Sequence, residues 1–230
     1  MPKQATSSPA KATLSALLPP ADAKGQIRQA NESIILRAAE KVFARAGFGG
    51  ATMAAIAEAS GLPKANLHYY FGNKHDLYRA VLASTLTAWL TPTGCIHAEA
   101  DPAQALTQYV KAKMRLSRER PDASRVFANE LLHGAPVLQD LLRKELRQLV
   151  RKKAAVIDHW IADGRMAPVD STHLFFTIWS ATQTYADFDA QICAVLGVQR
   201  QGKAQFERAT RHVTTLILRG CGLTPQEPQP

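Results

Sequence analysis

Residues Thr52 to Lys74 run TMAAIAEASGLPKANLHYYFGNK, a pattern of two short helices joined by a tight turn. Thr52 is placed to cap the first helix, its hydroxyl accepting from backbone N–H groups of the opening turn. Met53, Ile56 and Ala57 share one face at helical spacing. Gly61 supplies the turn, where a positive φ carries little steric cost. Pro63 follows at a plausible first helical position, where a missing N–H does no harm. Leu67 and Phe71, four apart, form the buried side of the second helix, which leaves Lys64, Ala65, Asn66, His68 and Tyr69 facing outward. A short helix with cationic, amide and aromatic groups near its start suits a DNA major groove. An ordinary αα-hairpin with a solvated polar face has the same spacing.

The whole chain has 230 residues and a formal net charge of +9, which favours polyanionic partners without choosing between nucleic acid and an anionic surface. Residues 1–80 hold 10 basic and 5 acidic side chains; the other 150 hold 18 and 14, so the charge is denser around the helix pair. Cys95, Cys193 and Cys221 are odd in number and widely spaced, as expected of reduced thiols in a cytoplasmic protein. No apolar run approaches the roughly 18 residues of a membrane span, and Ala12 to Leu18 is too short for a signal peptide.

Working outward, residues 1–28 are rich in Ala, Ser, Pro and Lys and are expected to form a disordered basic arm, either an idle tail or a reach towards DNA. A first helix is expected over about 31–46, with Ile35, Ala38, Ala39, Val42 and Phe43 as its stripe. Asn73 caps a fourth helix that runs through Leu77, Val81, Leu86 and Leu90, long enough to link the helix pair to whatever follows. Five more helices are expected near 102–119, 122–132, 136–163, 171–195 and 203–219, giving an all-α chain of about nine helices.

In the C-terminal half, LFFTIWSATQTYADF (174–188) is the most informative stretch. Phe175, Ile178, Trp179 and Thr182 trace one face, with Gln183 one turn from Trp179. One amide beside large rings can hold a small planar ligand, the rings stacking while Gln183 bonds its edge. Most such stripes are simply core or subunit interface. Trp89, at the end of the linking helix, and Phe127, Asn129 and Glu130 are further candidates for the same cavity. The basic run RKELRQLVRKK (143–153) is either a second anionic contact or the solvated face of a long helix. Motifs for catalysis, metal or cofactor are lacking: there is no Gly-rich phosphate loop, no GxSxG and no HExxH. Cys95-Ile96-His97 has no sequence-near partners to make a metal site.

Residues 31–80 resemble the DNA-binding domain of the TetR family of transcriptional regulators. The resemblance is carried by Ala38-Ala39, Phe43, Gly47-Phe48, Thr52, Ile56-Ala57, Ala59, Gly61, Leu67, Tyr69-Tyr70-Phe71, Asn73-Lys74 and Leu77. It implies a helix-turn-helix domain over 29–75, a ligand-binding and dimerisation domain over 76–221 and a disordered tail over 222–230. It further implies that Thr52, His68 and Lys74 meet phosphates while Lys64 and Tyr69 meet bases. His68 stands where many members have tyrosine, and Pro63 replaces a frequent serine or threonine. In the C-terminal half, Ala123 to Phe127, Glu130-Leu131, Gly134-Ala135-Pro136, Gly164, Ala167-Pro168 and IWSATQTYADF are similar to the pyrimidine-utilisation repressors of that family. The implied protein is a homodimeric repressor on a palindromic double-stranded operator, released by uracil or thymine. Its dimer is expected through 171–195 and 203–219, with Leu216 and Ile217 adding apolar surface. Alternatives are a different hydrophobic or cationic effector, or a dimeric DNA-binding module that senses no ligand.

Overall fold

The computed structural model describes residues 21–225, and all their regular structure is helical. Ten helices follow one another among these residues. They are α1 (Ala21–Gly50), α2 (Met53–Ser60), α3 (Lys64–Phe71), α4 (Lys74–Leu90), α5 (Pro102–Glu119), α6 (Pro121–Leu132), α7 (139–162), α8 (Ser171–Asp187), α9 (Asp189–Leu196) and α10 (Lys203–Gly220). A 3-10 turn (Thr91–Cys95) follows α4, and α7 carries a π segment at Leu142–Leu146.

Local chemistry sets several ends. Thr52 caps α2 as expected, accepting from the Ala55 N–H at 3.1 Å. Gly61 closes it in the left-handed region at φ 68°. Asn73 caps α4 and Asp101 caps α5 in the same way as Thr52. Pro63 is the residue before α3 rather than its first member, with extended ψ of 140°, so its ring stiffens the turn instead of starting the helix.

Three expectations need correction. The unstructured arm is expected over 1–28; residues 1–20 lie outside the described part, but 21–28 are helical. Polar pairs hold this extension: Arg28 meets Glu32 at 2.9 Å and the Asn31 amide donates to the Tyr70 hydroxyl at 3.1 Å. No apolar stripe therefore marks it. The helix expected from residue 136 begins at 139, because Gly134 and Ala135 both adopt positive φ and occupy a turn. The helix expected over 171–195 breaks at Phe188, at φ −114° and ψ 32°. Carbonyls freed there find distant donors: Gln201 donates to Tyr185 O at 2.8 Å and Arg125 to Ala186 O at 3.2 Å. No Gly or Pro signals the break, since its stabilisation is tertiary. The expected tail keeps residues 222–225 without helix; 226–230 lie outside the described part.

Two cores result. The first joins α1–α4 to α6 through Ile35, Phe43, Ile56, Leu67, Leu77 and Phe127. The second joins α5, α7, α8 and α10 through Leu106, Tyr109, Trp160, Phe175 and Phe206. From Leu77 to Trp89, α4 buries its stripe in the first core, so it moves with the helix-turn-helix unit while its end meets Lys113 of α5. A buried ion pair ties the two halves: Arg120 grips Glu40, which Arg37 also approaches at 3.6 Å.

Candidate nucleic-acid interface and ligand cavity

The outer face of α3 is set by what its inner face buries. Leu67 is fully buried and Phe71 packs beside it, so Lys64, Ala65, His68 and Tyr69 stand exposed, Tyr69 at 76 %. Pro63 is exposed at the entry, while Asn66 is half-buried. The Tyr69 ring meets Tyr70 edge-on at 5.1 Å, which fixes its direction. His68 folds its Nδ1 back to Gly72 O at 2.7 Å, leaving Nε2 as its outward group.

Lys74 is placed differently from its neighbours. Its ammonium donates to Phe48 O at 2.7 Å, Ala51 O at 3.0 Å and Gly49 O at 3.4 Å, and lies 4.5 Å above the Phe48 ring. Gly47, at φ 66°, turns the chain so that these carbonyls converge. A charge there closes the end of α1, where carbonyls lack intrahelical partners and the helix dipole is negative. All three N–H groups of Lys74 have acceptors within the protein.

Trp89, Phe127, Trp179 and Gln183, from α4, α6 and α8, line one partly open cavity of about 190 Å³. The Phe127 ring meets Trp89 edge-on at 4.7 Å. Trp179 donates its indole N–H to the buried Tyr109 hydroxyl at 2.7 Å, which pins the ring at the cavity wall. Leu86, Leu90, Leu131, Leu142 and Leu146 complete an apolar wall. An apolar cavity of about 150 Å³ accommodates benzene, so this space suits one six-membered ring. Glu130 does not join the set. It is buried on the far side of α6, accepting from the Tyr78 hydroxyl at 3.1 Å and the Val137 N–H at 2.6 Å. Glu130 is thus a tie between α4, α6 and the turn after it, and Asn129 lines that junction with it.

One cavity residue lacks any sequence signal. Lys113 on α5 is 1 % exposed and lines the cavity with its Nζ 4.0 Å above the Trp89 ring. Burial pushes its pKa down to about 7, against the opposing pull of Asp187. That carboxyl is itself raised by burial and bonded by the Ser124 hydroxyl at 2.6 Å. A lysine in a helix otherwise amphipathic reads as a surface residue, and only the tertiary fold buries it.

The other candidates resolve into ordinary roles. The Cys95 thiol bonds Pro92 O at 3.0 Å and Ala105 O at 3.3 Å. From the basic run, Arg143, Lys144, Arg147, Arg151 and Lys152 are exposed along α7, whereas Lys153 donates to Ile96 O at 2.8 Å. Ile217, expected at the surface, is 5 % exposed and belongs to the second core; Leu216 is exposed. Phe176 of α8, Phe188 at the break, and Val195 and Leu196 of α9 are also exposed. No helix among the described residues is long and apolar enough to cross a membrane.

Comparison with known proteins matches two consecutive stretches of the chain. Residues 35–81 match the family described as bacterial regulatory proteins, tetR family, and residues 82–224 match the YcdC-like protein C-terminal region. The chain is 40 % identical to the HTH-type transcriptional regulator RutR of Escherichia coli K12 over 191 residues, 83 % of this chain and 90 % of that one. It is 28 % identical to the HTH-type transcriptional repressor NicS of Pseudomonas putida over 195 residues, 81 % of this chain and 90 % of the other. In solved structures, the TetR family regulator PfmR of Thermus thermophilus superposes with a TM-score of 0.61 at 20 % identity, covering 80 % of this chain and 94 % of that one. AibR in complex with isovaleryl coenzyme A and operator DNA gives 0.59 at 17 % identity, covering 86 % and 100 %. At these identities the two structures speak for the fold alone.

Proposed function

The chain belongs to the TetR family of bacterial helix-turn-helix transcriptional regulators, and we propose that it is a homodimeric repressor freed from its operator by a planar pyrimidine such as uracil or thymine. The observation that carries this reading is the meeting of Trp89, Phe127, Trp179 and Gln183 around a space sized for one ring. The rings sandwich the ligand and the Gln183 amide pairs with a lactam edge, donor to acceptor and acceptor to donor. The resemblance of the C-terminal half to pyrimidine-utilisation repressors, with the 40 % identity to the regulator RutR, supports the choice of ring.

On the DNA side, Lys64 and Tyr69 read bases, with Pro63, Ala65 and Asn66 shaping the helix start. Thr52 and His68 approach phosphates. The dimer forms through α8 and α10, where Phe176 and Leu216 lie exposed. Two recognition helices then sit about 34–36 Å apart, in successive major grooves on one face of a palindromic duplex. A ligand against Trp89 acts on the end of α4, whose first residue follows α3 by only two residues. It loosens DNA only as far as it binds the DNA-incompetent angle of α4 more tightly. A typical coupling of about 1–3 kcal/mol weakens binding roughly 5–150-fold.

Calorimetry with uracil tests the cavity, paired with release of a labelled operator. Heat is expected from the parent protein and is lost in Gln183→Ala and Trp179→Ala. A parent protein that takes up no pyrimidine overturns the reading.

A further inference from the structure

Eight of the ten cavity-lining side chains are apolar or aromatic, and the remaining two are Gln183 and Lys113. No carboxylate lines it. Gln183 offers both a donor and an acceptor, so a single lactam edge, one C=O and one N–H, pairs with it through two hydrogen bonds. Lys113 offers donors only. Against the Trp89 ring it has a cation–π partner but, among the described residues, no carboxylate within ion-pair distance. Its amine is therefore the strongest donor of the cavity, and the Gln183 carbonyl, spent on the lactam edge, is the one wall group that could otherwise accept from it.

Resting on the reading of this cavity as the effector site, we propose that Lys113 determines effector specificity by donating to a second carbonyl oxygen of the ring that Gln183 holds. The chemical class that fits both residues is a neutral cyclic imide or ureide, with a lactam edge at Gln183 and a further C=O at Lys113. A simple lactam satisfies Gln183 and leaves Lys113 unmatched. A cationic ring finds no carboxylate in the cavity wall and, where Lys113 is protonated, meets a like charge, so the cavity disfavours hydrophobic cations.

The contact has a protonic signature. Lys113 faces Trp89 on α4, Gln183 and Trp179 on α8, and Phe127 on α6, none of which titrates in the neutral range; Asp187 of α8, bonded to Ser124, is the charged group that acts on it. Burial keeps its pKa near 7, so at pH 8 the empty cavity holds mostly the neutral amine. A carbonyl oxygen at hydrogen-bond range favours the ammonium and raises that pKa. Binding then takes up a proton from solution, and affinity falls as pH climbs above 7.

The experiment compares uracil, which has two carbonyls, with 2-pyridone, which has one, on the full-length parent and on Lys113→Met. The parent should bind uracil about tenfold or more tighter than 2-pyridone, the size of a hydrogen bond to a charged group. In Lys113→Met the two ligands should come within a factor of about three, since only the Gln183 edge remains to distinguish them. Calorimetry at pH 8 in two buffers of different ionisation enthalpy should show proton uptake with uracil in the parent and none in the variant. Methionine is apolar and of similar length, and folding is checked by thermal unfolding; Lys113→Leu, which also carries no donor, takes its place if the methionine variant does not fold. A uracil preference that survives Lys113→Met overturns the proposal while leaving the cavity reading intact. So does a lost preference without any parent proton uptake, which would make Lys113 a shaping residue only. A parent that binds neither ring removes both readings.

Discussion

The outer face of α3 and the cavity beneath α4 differ first in how much chain builds them. Lys64, Ala65, His68 and Tyr69 lie within six residues, held by one N-cap at Thr52, one left-handed glycine at Gly61 and the buried Leu67. The cavity draws on α4 to α8, with lining residues from Leu86 to Gln183. They differ again in surroundings. The α3 face is exposed and water-screened, and its partner is a polyanion, so its strength falls with salt. In the cavity, Lys113 is sealed from water and its charge answers to protons instead. Salt should weaken the first region and leave the second alone, while the second should respond to pH through Lys113.

The largest effect expected is on the exposed face. Lys64→Ala with Tyr69→Ala should cut operator preference over unrelated DNA by about a hundredfold or more, at about 1–3 kcal/mol for each base contact. Uracil binding, subunit assembly and thermal stability should stay near parental values, because both side chains point away from the core. Operator selectivity that survives in a binding titration would remove α3 from its role. A matching loss of uracil binding would show that the two regions are not separable.

Next in size is the response of the cavity to pH. The pKa of Lys113 is lowered on folding, so between about pH 7 and its unfolded value near 10.4 the unfolded chain binds more protons than the folded one. Stability then rises with pH across that window. Below pH 7 both states are protonated and the full cost of burying the charge applies; above the window both are neutral and it is gone. A tenfold change in proton affinity is worth about 1.4 kcal/mol, so the parent should gain on the order of a few kcal/mol relative to Lys113→Met from about pH 7 to 10. Parallel unfolding midpoints for the two proteins across that range would show that Lys113 carries no buried charge.

The same contrast explains what can be read from the sequence. The helix-turn-helix unit is legible because its determinants are local: a cap, a glycine and apolar spacing within some twenty residues. The α4 cap at Asn73 and the meeting of Trp89, Phe127, Trp179 and Gln183 are also within reach, the latter through helical spacing and resemblance. Glu130 is misplaced by such a reading because helical periodicity gives its neighbour Phe127 a direction but says nothing of Tyr78 and Val137, which claim its carboxylate from other segments. Ile217 is expected outside and lies inside, since adjacent helix positions diverge by about 100° and only the packing of the second core decides which of the two turns inward. Lys113 escapes outright, because a buried lysine has no pattern of its own. The break at Phe188 escapes for a similar reason: its carbonyls are satisfied by Gln201 and Arg125.

Lys74 lies at the border of the two regions and gives the smallest and sharpest test. Resemblance implies a phosphate contact, which would make it part of the salt-sensitive face. Its ammonium instead has Phe48, Gly49 and Ala51 carbonyls on all three protons and the Phe48 ring above it. A cation so engaged approaches a phosphate only by giving up acceptors it already holds. Lys74→Met should therefore destabilise the protein by about 1–3 kcal/mol, the cost of orphaned carbonyls and lost charged bonds. The slope of log affinity for DNA against log salt should stay at the parental value. Loss of a real phosphate contact would instead lower that slope by about one. A lowered slope with an unchanged unfolding midpoint would return Lys74 to the DNA face, and the cap at the end of α1 would then be a feature of the free protein alone.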